Sequence, residues 1–289
     1  MTEPKDTVAS PDVISPKAIE HYEIGNDFYQ LWLDDSMTYS CPLWAGPDDS
    51  LHAAQLRKLD YHVAGARAAG AARVLDIGCG WGSLLDRLVN VHGAQQVVGL
   101  TLSEQQAEWV KARRLPRTTV LLSHWHDHRP VDKYDAIISI GAFEHFAHMD
   151  QTREERIRSF RVFFTHCRDL LRPRGMMSLQ TTVYELLDHL DPFITSRIWP
   201  EGQLPRLAEI IEALDHVFEV VRIENHREDY ERALIEWANR LMARRDEAAR
   251  VTSNEVVEDY LRYLKMSAKA YRVNGFSLQR LLLRALPAH

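Results

Sequence analysis

An apolar stretch that runs directly into a glycine-rich turn constrains the fold of this chain more than any other feature. Residues Val74–Gly82 have the sequence VLDIGCGWG, which predicts a buried strand, a tight loop and the start of a helix. Glycines in such a loop adopt backbone conformations that side chains forbid, and they let a ligand approach the main chain closely. The segment therefore predicts a βαβ unit with a ligand site at the end of its strand.

The rest of the chain alternates between strand and helix patterns, which is typical of a Rossmann-like α/β sheet with helices on both faces. Apolar runs bounded by turn residues predict seven strands, at Arg73–Ile77, Gln96–Leu100, Thr118–Leu122, Ala136–Ile140, Met176–Thr182, Phe218–Glu224 and Phe276–Arg284. Helical periodicity predicts the helices Leu51–Ala69, Gly82–Val91, Glu104–Arg113, Glu154–Leu171, Tyr230–Ala249 and Asn254–Tyr271.

Composition and spacing divide the chain into three parts. Residues 1–15 are polar and proline-containing and predict a loose arm, whereas residues 16–70 are rich in aromatic side chains and predict a helical cap. Residues 71–289 then form the sheet-containing core. Within that core, residues 186–206 hold three prolines and a glycine, so we expect an insertion that covers the substrate.

Charge and composition exclude several classes of protein. The net charge of -6 over 289 residues argues against a nucleic-acid partner, which would require a basic face. No apolar run approaches the roughly 20 residues that a membrane span needs. The three cysteines have no metal-type spacing, and His145 and His148 lack further ligands nearby. We therefore expect a cytoplasmic protein without a metal site, and the sequence leaves a homo-oligomer open.

The glycine loop also indicates what it binds. Asp76 precedes the first glycine by two residues, and the third glycine of the dinucleotide pattern is absent. A carboxylate there suits a ligand with an ammonium group and repels a pyrophosphate. S-adenosylmethionine has that ammonium group and no phosphate. Thr101 stands where nicotinamide enzymes place a ribose-binding acid, which makes a nicotinamide enzyme a poorer alternative.

The segments after the second and third strands supply further candidate ligand contacts. Ser103 and Gln106 form a capping-box pattern, so their side chains have a structural interpretation as well as a binding one. Trp125 offers an indole that can stack on adenine, and His126 offers a polar group for the amino edge of the base. We interpret the alternating series His124, His126 and His128 mainly as surface polar residues.

Four segments together resemble the cyclopropane fatty acid and mycolic acid cyclopropane synthase family: HYEIGNDFYQLWLDDSMTYSCPLW, VLDIGCGWG, VVGLTLSEQQ and ISIGAFEHFAH. The resemblance runs from about His21 to the C-terminus and implies a class I methyltransferase fold that binds S-adenosyl-L-methionine. By position it implies these cofactor contacts: Tyr39, Ser40, Asp76, Gly78, Cys79, Gly80, Trp81, Gly82, Thr101, Leu102, Gln106, Trp125 and Ile140. It also implies a bicarbonate ion beside Cys41, Ile140, Glu144, Gln180 and Tyr230.

Two positions depart from the family pattern. Mycolic-type members have a histidine where this chain has Gln180, and a cysteine where it has Ser267. The first departure bears on the bicarbonate site, and the second removes a thiol nucleophile. Neither affects the chemistry of methyl transfer.

A sulfonium methyl group is already activated, so the enzyme must position the acceptor, exclude water and control charge. If the acceptor is an alkene, its attack leaves a carbocation, which aromatic faces stabilise and a base must deprotonate. Aromatic candidates for the pocket wall are Tyr22, Phe28, Tyr29, Tyr39, Trp44 and Trp199. Glu144 lies between two phenylalanines after the fourth strand, where we expect burial to raise its pKa. Glu144 is therefore the candidate base or the organiser of one, with a turn-capping role as its structural alternative.

Two methyltransferase hypotheses and one non-enzymatic hypothesis follow. The first is a C-methyltransferase that methylates or cyclopropanates an unsaturated apolar substrate, either a small molecule or a carrier-bound chain. The alternative is a heteroatom methyltransferase, for example one that acts on nitrogen of a small metabolite. A non-catalytic module that keeps the cofactor fold is the third, and the intact TYSC, GCGWG and GAFEHF segments argue against it.

Overall fold

Seven strands form one sheet in the part of the chain that the computed structural model describes, residues 21–200 and 202–288. The strands are β1 Val74–Ile77, β2 Val97–Thr101, β3 Thr118–Leu122, β4 Tyr134–Ile140, β5 Leu171–Tyr184, β6 Phe218–Asn225 and β7 Phe276–Ala285. Their order across the sheet is β3-β2-β1-β4-β5-β7-β6. Strands β1 to β5 pair in parallel, and β7 runs antiparallel to both β5 and β6. The predicted α/β sheet is confirmed.

The described residues also contain ten α-helices. They are α1 Asn26–Gln30, α2 Leu51–Gly65, α3 Ser83–Asn90, α4 Glu104–Ala112, α5 Arg153–Leu170, α6 Pro192–Arg197, α7 Leu207–Leu214, α8 Arg227–Ala243, α9 Arg245–Val251 and α10 Asn254–Arg272. Short polar side chains cap several of them, since Ser50 accepts from the Ala53 amide and Ser103 from the Gln106 amide. These caps satisfy backbone donors that a helix start leaves unpaired, and they set where α2 and α4 begin.

Two elements differ most from the sequence prediction. Strand β5 begins at Leu171 rather than Met176, and its pairing with β4 shifts register between Tyr134 and Ala136. The predicted helix Tyr230–Ala249 is two helices, because Arg244 leaves the helical region at φ -116° and ψ 25°. Neither a register shift nor a backbone break of this kind alters the apolar periodicity from which the elements were predicted.

Aromatic side chains join the N-terminal segment to helices α8 and α10, which lie between β6 and β7 in the chain. Trp32 and Trp237 are fully buried, with ring centroids 6.0 Å apart, and the hydroxyls of Tyr29 and Tyr260 are 2.9 Å apart. The Tyr29 ring lies 4.8 Å from the ring of Trp81 in the glycine loop. Burying each such ring contributes about 2 to 3 kcal/mol. The cluster therefore anchors a helical layer directly beside the end of β1.

The predicted insertion, residues 186–206, contains α6 and packs inward. Ile194 and Ile198 are 5% and 1% exposed, and both belong to the same apolar cluster as Trp32. At the surface Arg197 forms ion pairs with Glu255 and Asp259 of α10. The domain boundaries given above stay predictions, and the arm 1–15 lies outside the described residues. None of the described helices combines the length and apolar character that a membrane span requires.

Candidate active site

A cavity of about 150 Å³ opens where β1, β2 and β4 end. Twelve of the predicted cofactor contacts line it: Tyr39, Ser40, Asp76, Gly78, Cys79, Gly80, Trp81, Thr101, Leu102, Gln106, Trp125 and Ile140. Gly82 and His126 do not line it. The sheet topology explains the convergence, because the carboxyl ends of neighbouring parallel strands share one edge. A role for each residue in binding remains a proposal.

Two glycines shape the floor of this cavity in different ways. Gly78 has φ +81°, and an added Cβ would lie 2.5 Å from the Cβ of Ala142, so the loop packs too closely there for any side chain. Gly80 has φ +52°, but an added Cβ would meet no protein atom within 4 Å. Gly80 therefore leaves space that a ligand can fill, while Gly78 is needed for packing against the segment after β4.

Asp76 and Lys58 place opposite charges in the wall. Asp76 is 2% exposed, and burial raises its pKa to about 7, with Lys58 acting in the opposite direction. Lys58 of α2 is 1% exposed, and its Nζ donates to Ser40 Oγ at 2.9 Å. Burial, followed by repulsion from Arg280, lowers the pKa of Lys58 to about 7. A ligand with both an ammonium and a carboxylate group would give each of these buried side chains an oppositely charged partner.

Polar contacts fix the edge of the cavity at the end of β2. Thr101 Oγ1 donates to Gln106 Oε1 at 2.7 Å and accepts from the Ser103 amide at 3.2 Å. The predicted capping role of Ser103 is confirmed, whereas the Gln106 side chain turns to Thr101 instead of completing a capping box.

The histidine-rich segment after β3 differs in part from the sequence interpretation. Trp125 is 5% exposed, lines the cavity and packs edge-on against Phe163. The interpretation of His128 as a surface residue is wrong, because it is 8% exposed and its Nε2 lies 2.8 Å from the Tyr134 hydroxyl. His124 lines the cavity and His126 stacks on His166, with ring centroids 6.2 Å apart.

Glu144 is a buried carboxylate with one oxygen in use. It is 3% exposed, and its Oε1 accepts from the Thr182 amide at 2.7 Å. Its Oε2 has no hydrogen-bond partner among the described residues. Burial raises the pKa of Glu144 to about 7, against the opposing effect of the Thr182 amide. The contact reaches across to β5, so Glu144 does more than cap its own turn, and its Oε2 remains for a proton or a ligand.

Cys41 and Gln180 meet behind Tyr39 and Ser40. The Gln180 Nε2 donates to the Cys41 carbonyl at 3.4 Å, and its Oε1 accepts from Arg280 Nε at 2.8 Å. Burial raises the pKa of the Cys41 thiol, so this thiol is protonated at neutral pH. Cys41 therefore contributes its backbone carbonyl, which accepts hydrogen bonds, and does not act as a thiolate nucleophile.

A second, smaller pocket of about 40 Å³ lies beside the first. Its lining is mostly apolar and aromatic: Thr182, Leu190, Ile194, Trp199, Leu204, Tyr230, Leu234, Tyr263, Ser267, Tyr271 and Phe276. Two contacts connect the cavities, because the Tyr39 hydroxyl donates to the Tyr263 hydroxyl at 3.4 Å and the His145 ring lies 5.4 Å from Trp199. Burial lowers the pKa of His145 to about 4, so its ring is neutral at pH 7.

Sequence reasoning missed Lys58, Arg280, Tyr263 and Tyr271. Lys58 had a signal in principle, since a lysine on the buried face of an amphipathic helix is unusual. The other three reach the site only through the antiparallel return of the chain. Among the described residues no group of three or more His, Cys, Asp or Glu side chains is arranged to hold a metal ion.

Comparison with known proteins identifies the family. The family model for mycolic acid cyclopropane synthetase matches residues 13–281. Cyclopropane mycolic acid synthase 3 of Mycobacterium tuberculosis is 34% identical over 287 residues, which span 90% of this chain and 95% of that protein.

Solved structures agree with this assignment. The cyclopropane synthase MmaA2 from Mycobacterium tuberculosis has a TM-score of 0.83 at 32% identity, covering 93% of this chain and 97% of that chain. The mycolic acid cyclopropane synthase CmaA1, complexed with SAH and CTAB, has a TM-score of 0.84 at 30% identity over the same shares. The chain therefore belongs to the mycolic acid cyclopropane synthetase family and is an S-adenosylmethionine-dependent methyltransferase.

Proposed function

We propose that the enzyme transfers the methyl group to an unsaturated carbon of an apolar, acyl or isoprenoid-like substrate through a carbocation. One observation carries the proposal: Glu144, a buried carboxylate with a free oxygen, binds the amide of Thr182, which lines the apolar pocket beside the cofactor cavity. A base held next to a dry aromatic pocket suits the removal of a proton from a hydrocarbon cation.

The residues of the larger cavity fit S-adenosylmethionine. Asp76 suits the ammonium group, and Lys58 suits the carboxylate of the same amino acid. Trp125 offers an aromatic face for adenine, and the space beside Gly80 admits close approach of the ligand to the loop. When bound, the cofactor supplies a methyl group on a positively charged sulfur. The protein's contribution is then to orient that methyl group toward the second pocket and to exclude water.

The second pocket suits an apolar acceptor. Leu190, Ile194, Leu204 and Leu234 give it apolar surface, and the rings of Trp199, Tyr230, Tyr263 and Tyr271 can stabilise a cation. A volume of about 40 Å³ holds only a short part of a chain, so a longer acceptor requires the insertion 186–206 to move. None of the described residues that line it is charged, which favours a hydrocarbon over a polar metabolite.

The proposed step conserves atoms and charge. The π electrons of the alkene form a bond to the methyl carbon, and the electrons of the sulfur–carbon bond return to sulfur. The resulting carbocation loses a proton to the site organised by Glu144, which gives a methylated alkene or, if the proton leaves the new methyl group, a cyclopropane ring. A carboxyl group with a pKa of about 7 is well matched to accept a proton at neutral pH.

Binding of a bicarbonate ion, which the family resemblance implies, is a further part of this proposal. The Gln180 amide and the Tyr230 hydroxyl are donors, and a protonated Glu144 would be a third through its free Oε2. When bound, bicarbonate would supply a proton acceptor. In that arrangement Glu144 would organise the base instead of acting as the base itself.

The proposal also covers the chemical state of the acceptor, the cellular location of the enzyme and its partners. We expect a carrier-bound or free small-molecule acceptor, a cytoplasmic enzyme and no nucleic-acid partner. The formation of a homo-oligomer stays a prediction.

Substitution of Glu144 by Gln tests the mechanism. The amide keeps the shape of the side chain but cannot accept the proton, so we expect kcat to fall by about 10² to 10⁴-fold while the affinity for S-adenosylhomocysteine is retained. Steady-state kinetics and calorimetry measure the two quantities. Glu209→Gln is the matched control, because Glu209 is 1% exposed and pairs with Arg156, which lines neither cavity, whereas Glu144 binds Thr182 of the smaller pocket.

The free energy of unfolding of the same variant tests whether burial of the ionised Glu144 carboxylate destabilises the protein. Its folded pKa is raised, so the folded state binds the proton more tightly, and the free energy of unfolding falls as pH rises from about 4.5 to about 7. Glu144→Gln should therefore be more stable than wild type at pH 8, by about 3 kcal/mol at most, and the difference should vanish near pH 4.5. Near-normal kcat in this variant would rule out Glu144 as the base and favour methylation of a heteroatom.

A further inference from the structure

Arg280 is a fully buried arginine without an acidic partner. It lies on β7 directly opposite Gln180 of β5, and its side chain is 0% exposed. Among the described residues no carboxylate lies within ion-pairing distance of its guanidinium, and its Nη1 has no hydrogen-bond partner. A buried, permanently charged group of this kind costs stability, so a purely structural explanation for it is weak.

Arg280 decides the orientation of the Gln180 amide. A guanidinium group can only donate hydrogen bonds, so the atom of Gln180 that lies 2.8 Å from Arg280 Nε must be the amide oxygen. His62 Nε2 lies 3.3 Å from the same oxygen, and Ser178 Oγ lies 2.8 Å from His62 Nδ1. The NH₂ group must then point the other way, toward the Cys41 carbonyl.

The imidazole of His62 reinforces this orientation without adding charge. Burial, followed by repulsion from Arg280, lowers the pKa of His62 well below its usual value, so the ring is neutral. A neutral ring that donates through Nε2 to Gln180 must accept through Nδ1 from Ser178. Every member of the chain Ser178, His62, Gln180 and Arg280 then has a single consistent hydrogen-bonding role.

Arg280 also holds the segment that carries two cofactor-cavity residues. Its Nη2 donates to the Pro42 carbonyl at 2.8 Å and to the Cys41 carbonyl at 3.2 Å. Tyr39 and Ser40, which line the larger cavity, directly precede these carbonyls. The Arg280 side chain thus binds both the Gln180 amide and the segment after Tyr39, and it fixes both relative to β7.

We propose that Arg280 is a positioning residue for methyl transfer: it locks the Gln180 amide with its NH₂ group toward the Cys41 carbonyl, and it holds the Tyr39–Pro42 segment in register. The inference rests on the proposed function only in placing Gln180 beside the reacting atoms. Arg280 itself lines neither cavity and acts through Gln180 and the two carbonyls.

Two variants separate positioning from folding. Gln180→Glu keeps the side-chain shape and gives Arg280 an ionic partner, but it removes the NH₂ donor. We expect Tm to be unchanged or higher, the affinity for S-adenosylhomocysteine to stay within about threefold, and kcat to fall about tenfold or more, because misplacement at a reaction centre costs about that much or more. Arg280→Lys keeps the charge but cannot bind the amide oxygen and both carbonyls together, so its kcat should fall as well.

The matched control is Arg284→Gln on the same strand, since Arg284 pairs with Glu219 at the surface and should leave kcat unchanged. The double variant Gln180→Glu/Arg280→Lys should have a kcat no lower than that of the more impaired single variant, because both substitutions break the same hydrogen-bonded unit. A folded Gln180→Glu or Arg280→Lys protein with wild-type kcat, or additive losses in the double variant, would overturn the proposal. Kinetics can use any acceptor that the wild type methylates, so failure of the carbon-methylation proposal would be seen separately.

Discussion

Two buried carboxylates near the site differ in their surroundings. Asp76 and Glu144 are both buried carboxylates whose pKa burial raises to about 7, yet their surroundings differ. Asp76 faces Lys58 within the larger cavity, whereas Glu144 binds the Thr182 amide at the boundary of the apolar pocket. The same side-chain chemistry can therefore serve an ionic ligand in one place and a hydrocarbon cation in the other.

Gly80→Val tests the cofactor loop at the residue scale. A valine there keeps a strained φ and fills the space that the ligand needs, so binding of S-adenosylmethionine and S-adenosylhomocysteine should be abolished. Gly93→Val is a matched control, because Gly93 has φ +69°, also has no atom within 4 Å of an added Cβ, and does not line the cavity. Calorimetry that finds equal affinities in the two folded variants would refute the loop assignment.

The sequence revealed those residues whose signal is local. The glycine loop, Thr101 and Trp125 each follow a recognisable strand, so their meeting at one sheet edge could be predicted. Arg280 could not be found in this way, because its partner Gln180 is 100 residues away and the pairing depends on the direction of β7. Lys58 required knowledge of which face of α2 is buried.

At the scale of elements, periodicity predicted all seven strands but not how they are joined. Apolar runs mark β7 as a strand, yet nothing in the run shows that it inserts antiparallel between β5 and β6. That insertion brings α8 and α10 over the sheet edge, where Trp237 and Tyr260 complete the aromatic cluster. The smaller pocket, which we propose holds the acceptor, therefore depends on tertiary packing that no local pattern encodes.

The insertion 186–206 is predicted to open for the acceptor. Its α6 is held to α10 by exposed ion pairs of Arg197, which contribute little, and by Ile194 and Ile198. Hydrogen exchange should show weaker protection there than in Val74–Ile77, rising when acceptor is bound. Protection equal to that of β1 in the free enzyme would count against a mobile cover.

At the scale of the whole molecule, the fold sets two pockets side by side, and the larger one holds the buried side chains of Asp76 and Lys58. The sheet edge supplies the polar groups of the cofactor cavity, and the helical layer supplies the aromatic wall of the acceptor pocket. Three buried ionisable side chains adjoin this site, because Lys58 lines the larger cavity, Glu144 binds Thr182 of the smaller pocket and Arg280 binds the Cys41 carbonyl, and burying such groups costs stability. Such a concentration of unfavourable burial is typical of a functional site.

The most direct test of carbon methylation uses cofactor with a trideuterated methyl group. The wild-type enzyme is incubated with monounsaturated acyl chains, free or bound to a carrier, and with isoprenoids, and the products are analysed by mass spectrometry and NMR. The account predicts a new carbon–carbon bond at the former double bond, retaining three deuterium atoms in a methyl branch or two in a cyclopropane ring. Label found only on nitrogen or oxygen, with the double bond intact, would contradict it.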